Sequence, residues 1–367
     1  MIGTARNESR PRPGLWRPRV ILFVTLALAA LVLLVAFAVW GAEVSVRSEA
    51  VSLSSPTATG RFVSVQADER LFTLMAALNA AGYDDENNEE GMYPLRQEVR
   101  ARLAARNIPT VARLRLYFQA HPSQYVAWIL QRGEPPAFDR TIAGWFVEGM
   151  PAFAFFGLDG ALRDFYREAD IASLWRESEP GYEAEVARYQ PLASGAVQQM
   201  LDYARLKQPP TGQIIVLPNL LDAYWRGYGP RVGSISYVVL GPSDEPNLSL
   251  IQHEALHPII NSSVQANAGV IRPAQAERLY AACKSRVSPS YGVWETILDE
   301  SIIRAVSVRL LPASDRESFL ERQKNQGFVL VPYLAGQLVK FEESDKALTE
   351  FVPALLSSLN DLDPEGL

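Results

Sequence analysis

Two of the chain's three histidines, His253 and His257, stand four residues apart in Ile251-Gln-His-Glu-Ala-Leu-His-Pro258, with Glu254 directly after the first. Residues i and i+4 of an α-helix share one face, a turn apart, so the two imidazoles can each direct a nitrogen at one divalent ion. Glu254 falls on a neighbouring face, within reach of a water at that ion without ligating it. His-Glu-x-x-His is the arrangement of zinc hydrolases, with the glutamate as general base. The plain alternative is a pair of helix-surface histidines beside an acid. Flanking Leu248, Ile251, Leu256, Ile259 and Ile260 make the helix at least partly buried, and buried imidazoles and carboxylates need partners. Pro258 removes a helix hydrogen bond and disfavours α geometry at His257, which predicts a kink there or a helix end near Asn261.

A catalytic zinc site needs a third protein ligand, with the fourth position left to water. No histidine follows His257, so a third histidine close downstream is absent. The helical run Trp294-Glu-Thr-Ile-Leu-Asp-Glu-Ser-Ile-Ile-Arg-Ala305, ending before Pro312, offers Glu295, Asp299 and Glu300. Glu300 shares a face with Ile297, Ile303 and Ser307, and Arg304 stands at i+4 to orient or balance it. Glu295 lies about 140° around the helix from Glu300. A solvated acidic face is the ordinary reading of all three. For an oxyanion partner, Tyr291, just before this helix, is a candidate, and Arg304 a weaker one.

The elements that must hold these residues are legible in outline. Arg61–Gln66 alternates like a short strand. Leu71, Leu74, Met75 and Leu78 form a helical core stripe that stops at Gly82. Asp84 to Glu90 is strongly acidic but lacks the spacing and glycine of an EF-hand, and reads as a solvated loop. From Leu95 to about Lys207 helix follows helix, with breaks near Asn107-Ile-Pro109, Gly133-Glu-Pro-Pro136 and Pro180-Gly181. The aromatic residues of this stretch, including Tyr117, Trp128, Trp145 and Trp175, are by default core packing. His121 has no second ligand beside it and reads as structural. Gln213–Leu217 and Ser234–Leu240 look like strands around a Gly-rich turn at Tyr224–Gly229. Strands leading into the His253 helix suggest a small sheet under the site, whose edge could hold a peptide by main-chain pairing or merely complete the core.

Ahead of all this, Arg6, Arg10, Arg12, Arg17 and Arg19 face a single Glu8, and Val20 to Trp40 runs 21 residues without a charge. As a helix that run spans about 31 Å, enough to cross a bilayer. The arginines place residues 1–19 in the cytoplasm and everything after Trp40 outside. The length favours an uncleaved signal anchor over a cleaved signal peptide, whose site would have to be Val39-x-Gly41. Residues 41–60, rich in serine, read as a linker. Residues 1–19 carry a net +4 in a chain of net −6, leaving −10 for the remainder. That charge argues against nucleic acid as a partner. A single cysteine, Cys283, rules out an internal disulfide, yet a domain of this size needs none.

His253-Glu-x-x-His257 with Glu300-Ser-Ile-Ile-Arg-Ala305 downstream resembles the gluzincin clan of metallopeptidases. The likeness is closer to a family of uncharacterised bacterial proteins with a gluzincin-like domain. In that family a Gly-Tyr element, a Tyr-Phe…His helix and a His-Glu-x-x-His-Pro motif recur; here these are Gly82-Tyr83, Tyr117-Phe118…His121 and His253 to Pro258. The likeness covers roughly residues 61–310, loosely upstream and tightly at the two motifs. It implies Zn2+ bound by His253, His257 and Glu300, with Glu254 as base, and Pro258 is similar to what that family shows. The expected fold is α+β and mainly helical: a helical region over 61–207, then a zincin-like catalytic region over 208–367 with a small sheet under the His-Glu-x-x-His helix. The expected function is a membrane-anchored zinc metallopeptidase acting on peptide or protein substrates outside the cytoplasm. The alternatives are a non-catalytic, membrane-tethered protein that binds zinc or another ligand in the same pocket, and a hydrolase of non-peptide amides.

Overall fold

A computed structural model describes residues 62–84, 91–118, 122–139 and 155–367. The expected anchor at 20–40, the linker, most of the acidic loop, His121 and Trp145 lie outside the described residues. Among the described residues no helix is long and apolar enough to cross a membrane.

The fold is α+β and mainly helical, built on a small mixed sheet. Three strands, β1 (Val63–Val65), β2 (Gln213–Pro218) and β5 (Ile235–Leu240), run parallel, with Val63 opposite Ile214 and Val216 opposite Val238. Two short strands, β3 (Gly227–Tyr228) and β4 (Arg231–Val232), pair antiparallel with β5. Both faces are apolar, as expected of a parallel sheet covered on both sides. Successive side chains alternate between two cores. Val63, Val65, Ile214, Val216, Val238 and Leu240 join one core with the helices that carry the site. Ile215, Leu217, Tyr237 and Val239 join the other, with the upstream helices. The strand from residue 63 therefore pairs with one from residue 213, so the sheet draws on both sides of the 207/208 boundary.

The stripe at Leu71–Leu78 forms the helix Glu69–Ala81, capped by Asp68 at its start and by Gly82, at φ 109, at its end. The break expected at Pro180-Gly181 does not occur. One helix of 34 residues runs from Ile171 to Ala204 through both Pro180 and Pro191. An interior proline costs about 3 kcal/mol, but Leu174 and Tyr182 are buried in one core and Tyr189, Val197 and Leu201 in the other. Burying side chains of that size returns about 1.5–3 kcal/mol each, which outweighs the local penalty.

The His253 helix behaves likewise. It spans Leu248–Asn267, with the Asn247 side chain accepting from the Leu250 N–H at its start. It does not end near Asn261 as Pro258 suggested. Ile259, Ile260 and Val264, all buried beyond the proline, carry it onward.

Candidate metal centre

Three contacts fix the helix that carries the two histidines. Ile251, Ala255 and Ile259 recur every fourth residue and enter the core, which turns His253 and His257 to the half-buried side. Gln252 donates to the Ala196 carbonyl at 3.1 Å and to Gln199 Oε1 at 2.9 Å, pinning the helix to Ile171–Ala204. The second helix, Trp294–Leu310, buries Ile297, Ile302, Ile303 and Val306 and packs against the first.

That packing delivers Glu300 to the histidines. Its Oε2 lies 3.6 Å from His253 Nε2, and its Oε1 lies 3.6 Å from His257 Nε2. Both distances exceed a good hydrogen bond. They come close to the separation of about 3.4 Å between two ligands placed tetrahedrally around one zinc ion. Glu254 Oε2 is 3.6 Å from His257 Nε2 as well, and donor atoms of His253, Glu254 and His257 all fall within 4.8 Å of one another. This group lies close enough to hold a metal ion, and two imidazoles with a carboxylate suit zinc chemistry.

Two carboxylates thus contend for the third position, and their surroundings differ. Arg304 donates from Nε to Glu300 Oε2 at 3.1 Å. The guanidinium is itself held by Gln323 Oε1 at 2.7 Å and by the Phe328 ring, 4.0 Å from its centroid. Burial pushes the Glu300 carboxyl up, but the His253 and His257 imidazoles and Arg304 outweigh it and hold the group well below the usual carboxylate range. Glu300 is therefore an anion at neutral pH, oriented from behind by a cation. Glu254 accepts no hydrogen bond from any described residue. Burial pushes it up to about 7, with Glu300 adding to the rise against His257 and Arg304. A carboxyl poised near neutrality suits a group that takes and returns a proton.

The remaining candidates separate cleanly. Among the described residues only Glu254 and Glu300 bring a carboxylate within 4 Å of an imidazole nitrogen. Glu295 and Asp299 instead line a cleft of ≈ 1040 Å³ that opens beside His257 and is also walled by Gly229, Arg231 and Pro258. Tyr291 packs edge-on against Phe328, with its hydroxyl 3.4 Å from Arg304.

Sequence reasoning missed Gly227 and Gly229, which face the Glu254 carboxylate, and Asp222, which holds the strand they sit on. The only advance signal was the Gly-rich composition of Tyr224–Gly229. Compared with protein-family models, with curated proteins and with solved structures, the chain matches none of them.

Proposed function

We propose that this chain is a zinc-dependent metallopeptidase of zincin-like, gluzincin type, with His253, His257 and Glu300 as metal ligands and Glu254 as general base. The observation that carries this reading is Glu300. A carboxylate from a separate helix sets one oxygen before each imidazole, at a spacing that a shared cation explains better than hydrogen bonding does. A bound zinc ion supplies Lewis acidity at the scissile carbonyl and acidifies water. Arg304 keeps Glu300 charged and fixed in direction, so the ligand set is preorganised. Glu254, buried and with no hydrogen-bond donor among the described residues, takes the proton of the attacking water and passes it to the leaving amine. Arg304 donates into the Tyr291 oxygen, which leaves the phenolic hydrogen available to a developing oxyanion. The cleft beside His257 is large enough for several residues of a peptide, and residues 20–40 anchor the domain on the outer side of a membrane.

The experiment is metal analysis of the full chain in mild detergent, joined to a peptide-library cleavage assay on wild type and Glu254→Gln. Stoichiometric zinc in both proteins, with cleavage in wild type alone, is the expected result. Cleavage that survives Glu254→Gln removes the mechanism. Zinc without turnover by wild type returns the protein to the class of binding modules.

A further inference from the structure

Strand β3 and the residue after it read Gly227-Tyr228-Gly229, and in a strand alternate residues face opposite sides. Both glycines face Glu254. A Cβ at residue 227 would lie 3.0 Å from Glu254 Oε1 and 2.6 Å from Leu250 Cδ1. One at residue 229 would lie 2.5 Å from Glu254 Oε2 and 3.4 Å from the Glu254 carbonyl oxygen. Neither glycine has a positive φ, so what a side chain at either position would meet is close approach and not backbone strain: it would have to displace the Leu250 side chain or the Glu254 carboxylate. Each carboxylate oxygen is thus seated against one glycine. Tyr228 points the other way, into the upstream core, and its hydroxyl donates to Asp222 Oδ2 at 2.9 Å. Asp222 is fully buried and also accepts from Tyr83 at 2.7 Å, from Asn219 at 3.0 Å and from the Ala223 N–H at 2.8 Å. A two-residue strand has few ladder bonds of its own, and this side-chain anchor supplies what the ladder lacks.

We propose that Gly227 and Gly229 clamp the Glu254 carboxylate in its working direction, and that Asp222 positions the clamp through Tyr228. Glu254 Oε2, seated against Gly229, lies 3.6 Å from His257 Nε2. Its catalytic consequence rests on the hydrolase reading above; its geometry does not.

The test has a thermal arm and a kinetic arm. In metal-free full-length protein, Gly229→Ala lowers Tm by several degrees, whereas in a Glu254→Ala background the same substitution costs almost nothing. An equal drop in both backgrounds, or failure of both Gly229→Ala proteins to fold, overturns the clamp. In zinc-loaded protein, Tyr228→Phe lowers kcat by about tenfold with KM and zinc content unchanged, because a small misplacement of a catalytic group is felt in the chemical step. An unchanged kcat, or a parallel loss of zinc, overturns the positioning role of Tyr228 and Asp222. If wild type cleaves nothing in the library, the hydrolase reading fails while the thermal arm still decides the clamp.

Discussion

Asp222 and Glu254 are both buried carboxylates, on opposite sides of strand β3, and they are treated in opposite ways. Asp222 collects four donors, two of them tyrosine hydroxyls. Glu254 collects none among the described residues and sits beside an imidazole at 3.6 Å. Burial raises the pKa of both. A saturated buried acid is what a fold needs to fix a loop; a starved one is costly to keep and makes sense where the missing partners arrive with solvent, substrate or metal. The contrast assigns stability to Asp222 and, on the proposed function, chemistry to Glu254.

That contrast can be broken by substitution. The largest effect is expected from His257→Ala, which removes an imidazole from the ligand set and should lower zinc affinity by several orders of magnitude, read by competition with a chelating dye. Next, Asp222→Ala removes the acceptor shared by the Tyr83 and Tyr228 hydroxyls, the Asn219 amide and the Ala223 N–H, and each such lost bond in a buried setting costs about 1–3 kcal/mol. Urea unfolding should show a loss of about 3 kcal/mol or more, with zinc stoichiometry retained in whatever remains folded. Glu254→Gln should behave in the reverse sense. Hydrolysis falls by about 10³-fold, while the urea midpoint stays level or rises, since a buried charge that no described residue hydrogen-bonds is gone. If Glu254→Gln destabilised as much as Asp222→Ala, the contrast between the two acids would be lost.

The smallest effect is a pH dependence in the metal-free protein. Glu254 titrates near 7 when folded against an ordinary value of 4.5, so the folded state holds a proton the unfolded state has given up. Its contribution to stability is whole below about pH 4.5 and is lost as pH rises through 7. Glu300 is depressed, so its contribution is present above pH 4.5 and is lost on acidification. Thermal melts should show Tm falling between pH 5 and 8, and Glu254→Gln should shrink that fall. A Glu254→Gln profile that overlays wild type would contradict the assignment.

How far the sequence reached follows the same division. His253, Glu254 and His257 were legible because their relation is set by one helix repeat, and Glu300 was among three acids readable on its own helix, with Arg304 one turn on. Val63–Val65 and the helix stop at Gly82 came from strand alternation and from a residue suited to the left-handed cap. The anchors were not legible. Tyr83 and Asp222 are 139 residues apart in the chain, and nothing local to either announces the other. Gly227 and Gly229 looked like turn chemistry, whereas space beside Glu254 is what they provide. Pro180, Pro191 and Pro258 signal helix breaks locally, and burial of their neighbours outweighs them.

On the proposed function, His253, His257 and Glu300, from two helices, close around one divalent ion. Elemental analysis of the full chain, purified in detergent and equilibrated with zinc before exhaustive gel filtration, tests it most directly. About one zinc per wild-type chain, and close to none in Glu300→Ala, is the result this account predicts. Wild type that emerges without metal, or Glu300→Ala that retains it in full, would contradict it.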